Sequence, residues 1–135
     1  MSCAPRVLIV EDDDVVRAFI VRILLGDGYC VTAVATACQA MAAVRNREFE
    51  LIVLDFSLPD GDGLEITRLI RCEIPLLRIL AISGYMVGDM PSVAIAAGAS
   101  ATLPKPTTSS ALRRSVSELV AQGRAGIGRY KIAGA

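Results

Sequence analysis

The sequence predicts an α/β fold, a doubly wound five-stranded parallel sheet of order 2-1-3-4-5. Three observations lead there. Short, near-continuous apolar runs alternate with longer stretches of helical periodicity, as in strands covered on both faces by crossover helices. Five such strand–helix units fit into 135 residues, 53% of them hydrophobic, enough for one domain with a real core. Most of the apolar runs also end on a polar residue, and the carboxyl edge of such a sheet is where ligands bind.

In chain order, Val7-Leu8-Ile9-Val10 is the first strand. Val15, Val16, Phe19, Ile20, Ile23 and Leu24 then recur at helical spacing until Gly26 and Gly28 stop them. Residues 29–34 form a second, weaker strand, and the Ala-rich residues 36–47 a helix. Leu51-Ile52-Val53-Leu54 is the third strand; residues 64–71 follow as a helix with Asp62 as N-cap. The fourth strand covers 78–82, and Pro91 sits in the first turn of a short helix ending at Gly98. Residues 100–104 form the fifth strand, where Pro104 suits a sheet edge because its missing N–H costs least there. Leu112, Val116, Leu119 and Val120 mark a last helix, capped by Thr107 or Thr108. No boundary or repeat interrupts residues 1–122. Residues 123–135, GRAGIGRYKIAGA, hold four glycines, three basic residues and no acid. A flexible basic tail is expected, with a docking arm as the alternative.

Composition removes several classes of function. Net charge is zero, so no broad nucleic-acid contact is expected. No apolar run approaches the roughly 18 residues of a membrane span, and acids arrive too early for a signal peptide. A cytoplasmic protein is expected. Cys3, Cys30, Cys38 and Cys72 form no CxxC pair and read as buried or incidental reduced thiols. The absence of histidine removes His-based triads, histidine zinc sites and any self-supplied phosphohistidine.

The strand ends carry the chemistry. Glu11 and Asp12 follow the first run, Asp55 the third, Ser83 the fourth and Lys105 the fifth. Each has a plain structural explanation. Acids favour helix starts, Asp55 and Ser83-Gly84 can be turn residues, and Lys105 can be a solvated loop residue. Asp13 and Asp14 are best read as helix-start acids. All the plain explanations holding at one edge is far less probable than any one of them. Clustered carboxylates resist joint ionisation, and oxygen donors suit Mg²⁺, which keeps waters and binds phosphate. Lys105 supplies a point charge for a phosphoryl oxygen, Ser83 a hydroxyl donor, and Asp55 a carboxylate nucleophile. The turn after Asp55 is expected to expose that carboxylate, and a backbone carbonyl at Ser57 to reach the metal.

Together, VLIVEDDDVVR, LIVLDFSLPDGDGLE, ILAISGY and AAGASATLPKP resemble the receiver domain of two-component response regulators. The resemblance implies a flavodoxin-like fold over residues 1–122. It implies that Glu11 and Asp12 are the acidic pair, Asp55 the phosphoacceptor, Ser83 the switch hydroxyl and Lys105 the invariant lysine, with Lys105-Pro106 a cis peptide. It also implies Mg²⁺ and, as phosphodonor, a sensor histidine kinase or histidine phosphotransfer protein. The expected product is a switch that controls an output protein by contact, not an enzyme beyond its own phosphorylation and dephosphorylation. The first acid is Glu where Asp is commoner, Ser stands for the usual Thr at 83, and Thr102 replaces a rotating aromatic. Tyr85 is expected to cover the phosphoryl site and slow autodephosphorylation. A haloacid-dehalogenase-like phosphatase is the alternative, but its second Asp would stand where Ser57 is. A receiver-like binding module without phosphorylation would usually have lost one of the five residue types. With no room for a helix-turn-helix domain after residue 122, either a stand-alone receiver or a piece of a longer chain is expected.

Overall fold

The computed structural model describes residues 4–134, with side chains through residue 123. Its elements alternate strictly: β1 (Arg6–Val10), α1 (Asp14–Gly26), β2 (Cys30–Val34), α2 (Ala37–Asn46), β3 (Leu51–Asp55), α3 (Gly63–Glu73), β4 (Arg78–Ser83), α4 (Met90–Ala97), β5 (Ala101–Pro104) and α5 (Ser109–Gly134). The sheet runs β2-β1-β3-β4-β5 with all pairings parallel. This is the expected order, with Pro104 on the edge strand.

The strands are buried on both sides, so alternate residues feed two cores. Leu8, Val10, Ile52, Leu54, Ile79 and Ala81 face α2, α3 and α4. Val7, Ile9, Leu51, Val53, Leu80 and Ile82 face α1 and α5. That is why the central runs are apolar at every position: no face is left for polar residues to occupy. The edge strands β2 and β5 are only partly buried, which accounts for the weaker apolar signal of β2.

Helix starts follow their caps. Asp13 accepts from the Val15 and Val16 N–H groups, Thr36 from Gln39, Asp62 from Leu64, and Thr108 from Ala111. Each satisfies amides that the first helical turn leaves without partners. α5 continues past the boundary expected at residue 123, through the glycines that would ordinarily stop a helix. The side chains of residues 124–135 lie outside the described residues, as does Cys3. Cys30, Cys38 and Cys72 are free and exposed, so these thiols are incidental rather than buried. Among the described residues, no helix is long and apolar enough to cross a membrane.

Candidate functional site

Sheet register brings the polar strand ends to one level. Asp55 stands opposite Ile82 and Ser83 opposite Pro104. The Phe56 N–H donates to the Ile82 carbonyl at 2.9 Å, and the Lys105 N–H to the Ser83 carbonyl at 3.0 Å. The Glu11 N–H donates to the Val34 carbonyl at 3.1 Å. The ladder thus extends one residue beyond the strands, and the residues that leave it are the expected ones.

Their side chains converge. Glu11, Asp12 and Asp55 each offer a carboxylate oxygen within 4.8 Å of the others. Glu11 and Asp55 are 1% and 2% exposed, and Asp12 is open to solvent. Lys105 Nζ lies 2.6 Å from Glu11 Oε1 and 3.4 Å from Asp55 Oδ2. Asp55 Oδ1 accepts from the Ser57 N–H at 2.9 Å, whereas the buried Oδ2 has no hydrogen-bond partner. Ser83 is buried, and its Oγ accepts from the Tyr85 N–H at 3.0 Å. The Lys105-Pro106 peptide is cis.

The electrostatics follow from this crowding. Burial pushes the Glu11 carboxyl up to about 7 against the opposing pull of Lys105 and the Asp13 N–H; neighbouring Asp55 adds to the rise. Burial works to lower Lys105, but the hydrogen bond to Glu11 and the charge of Asp55 outweigh it and hold the ammonium above its usual value. One ammonium faces three carboxylates, so the cluster keeps an excess of negative charge. An oxygen-only donor set with that excess, one exposed carboxylate and one unbonded buried oxygen fits a hard divalent cation that retains water.

Sequence reading missed the residues that brace this rim. Arg17 donates to the Glu11 carbonyl at 3.0 Å and to the Asp12 carbonyl at 3.4 Å, fixing the acidic turn; it also pairs with Asp14. The i,i+3 spacing of Asp14 and Arg17 was the available signal for the ion pair, but nothing local announced the carbonyl contacts. Asp60 accepts from the Ala37 and Cys38 N–H groups at 2.8 and 3.1 Å, so it caps α2 from the turn after Asp55. Gly63 is a contact requirement: a Cβ there would come 2.4 Å from Phe56 Cγ.

The response regulator receiver domain model matches residues 7–117, and the chain belongs to that family. It is 38% identical over 104 residues to Protein PetR of Rhodobacter capsulatus, a match covering 76% of this chain and 43% of PetR. It is 36% identical over 101 residues to the KDP operon transcriptional regulatory protein KdpE of Escherichia coli, covering 75% of this chain and 44% of KdpE. The chain therefore spans less than half the length of these relatives. Among solved structures, a CheY-like receiver domain protein of Methanospirillum hungatei superposes with a TM-score of 0.86 at 28% identity, covering 91% of this chain and 98% of that one. Neither the phosphatase reading nor the phosphorylation-free module draws support from these matches.

Proposed function

We propose that Asp55 accepts a phosphoryl group from a partner's phosphohistidine and that the resulting charge switches the domain between two states. The observation that carries this reading is the buried Asp55 carboxylate beside two other acids, one of its oxygens without a hydrogen bond and 3.4 Å from the Lys105 ammonium. In the transfer, an Asp55 oxygen attacks phosphorus, the new O–P bond forms as the N–P bond breaks, and the imidazole leaves. Glu11, Asp12, Asp55 and the Ser57 carbonyl would hold Mg²⁺, which when bound neutralises charge between carboxylates and phosphoryl oxygens. Lys105 is placed to exchange part of its pairing with Glu11 for a phosphoryl oxygen. On this reading the Ser83 hydroxyl turns its proton toward the new anion.

The donor on this reading is a sensor histidine kinase or histidine phosphotransfer protein, since the chain has no histidine of its own. The output is a protein that reads the surface formed by α4, β5 and α5. We propose no nucleic-acid contact for the domain itself, and a cytoplasmic setting. Incubation with a small phosphodonor and Mg²⁺ should add one hydrolysable phosphate by intact mass. Phosphate uptake by Asp55→Asn, or uptake independent of Mg²⁺, would overturn the assignment.

A further inference from the structure

The sheet has two edges, and only one of them is defended. β5 is four residues long and ends on Pro104, and a short strand closed by proline resists pairing with another chain. β2 has five residues, CVTAV, with no proline and no charge. Residues 28–44, which run through β2 and most of α2, hold no charged residue at all, in a chain that is 21% charged. Cys30 and Ala33 are exposed, and Val31, Thr32 and Val34 only half-buried.

The backbone of β2 shows which groups face outward. The Cys30 N–H donates to the Pro5 carbonyl at 2.9 Å, and the Val34 carbonyl accepts from the Glu11 N–H at 3.1 Å. A parallel strand turns alternate residues toward each side. Cys30, Thr32 and Val34 therefore bond toward β1, and Val31 and Ala33 turn their N–H and C=O groups to the open edge. Outward residues on either side of an inward one make a self-complementary set. With a second copy laid antiparallel about Thr32, Val31 exchanges both bonds with Ala33 of the second copy, and Ala33 with its Val31. Every outward donor then finds an outward acceptor. Thr32 meets Thr32 of the second copy in the close, non-hydrogen-bonded position, a favourable cross-strand pair.

The neighbouring helix leaves the approach free of charge. α2 turns Arg45 to Glu73 and Met41 to a groove shared with Ile66 and Leu69 of α3. Its opposite flank carries Gln39, Ala43 and Asn46, none of them charged. Gln39 Oε1 accepts from the Ala35 N–H, just past the strand, at 2.9 Å.

We infer that β2 is the seam of a two-fold dimer of this chain, joined edge to edge into one continuous sheet. The axis stands perpendicular to the sheet at Thr32. Because the strands run antiparallel across it, the two carboxyl edges point to opposite ends. The Asp55 rims stay apart, each open to its own partner, and α4, β5 and α5 lie toward the far edges. Nothing in this pairing depends on phosphorylation.

Sedimentation of the full chain tests the seam. It should run partly as a dimer at concentrations on the order of 100 μM, as befits a small interface made by one strand. Ala33→Lys, at an exposed position, should raise the dissociation constant by roughly tenfold or more. Val31→Pro, which removes an outward N–H and none directed at β1, should do the same. Val93→Lys, on α4, should leave the dimer intact. Thr32→Cys should form a disulfide-linked dimer in oxidised glutathione on a non-reducing gel, since Cα atoms of such a pair lie about 4.5 Å apart. Wild type should not, because Cys30 is set opposite Val34 of the second copy. A wild-type chain that stays monomeric at that concentration would overturn the seam. So would a dimer that survives both Ala33→Lys and Val31→Pro, or one lost in Val93→Lys. Failure of Thr32→Cys to cross-link, or wild type cross-linking equally fast, would overturn the register.

Discussion

Two turns leave neighbouring strands at the same edge of the sheet, one after Asp55 and one after Ser83, and they are built to opposite standards. Both open alike: an N–H two residues on bonds back to the side chain at the strand end, Ser57 to Asp55 and Tyr85 to Ser83. After that they diverge. In the first turn, the Phe56 ring presses on Gly63 and Ile66 packs on Gly61. Asp60 bonds α2 and Asp62 caps α3. The second turn has exposed Tyr85 and Val87 and an uncapped helix start. A turn that aims a nucleophile must not move, because misplacement by about an ångström can cost on the order of a hundredfold in rate. On the proposed reading, a turn that reports the charge gains from having little to break.

The sharpest way to break this contrast is a matched pair of glycine substitutions. Gly63→Ala places a methyl 2.4 Å from Phe56 Cγ and 2.7 Å from Phe56 Cα, so side-chain rotation alone cannot relieve it. It should cost about 1–3 kcal/mol in urea unfolding, the usual scale of overpacking. Gly84→Ala meets nothing within 4 Å and should be neutral, or stabilising by up to about 1 kcal/mol through the unfolded chain. Equal midpoints for the two variants would mean that the turns are not differently packed.

Acid offers the next test. The Ala37 and Cys38 N–H groups hold the Asp60 carboxyl below its usual range. Its folded pKa is depressed, so its contribution is present above the unfolded value near about 3.9 and is lost as pH falls through the folded value. Asp60→Asn should therefore flatten the fall in melting temperature between neutral pH and pH ~3. Parallel acid limbs for variant and wild type would show that the latch adds nothing.

Tyr85→Ala probes the loose turn where it bears on the proposed chemistry. Removing the ring should shorten the lifetime of the phosphorylated form, followed by loss of label, while thermal stability stays within about 0.5 kcal/mol of wild type. An unchanged lifetime would remove Tyr85 as a shield. Smallest of all, Asp89→Ala should leave the urea midpoint within about 0.5 kcal/mol, since its side chain caps nothing.

Much of this molecule was legible in its sequence, and the reason is local. Buried parallel strands must be apolar at every position, so Val7–Val10 and Leu51–Leu54 announce themselves, and Asp62 and Thr108 mark helix starts by their own chemistry. The strand ends then named Glu11, Asp12, Asp55, Ser83 and Lys105, because parallel strands deliver their last residues to one rim. What a run of residues cannot state is which distant partner each polar group meets. Tertiary packing alone set Lys105 closer to Glu11 than to Asp55, sent Asp60 across 23 positions to cap α2, and spread Arg71 across three carbonyls. Periodicity records which face of an element is buried; register and the docking of helices decide what lies opposite, and those depend on the whole chain folding at once.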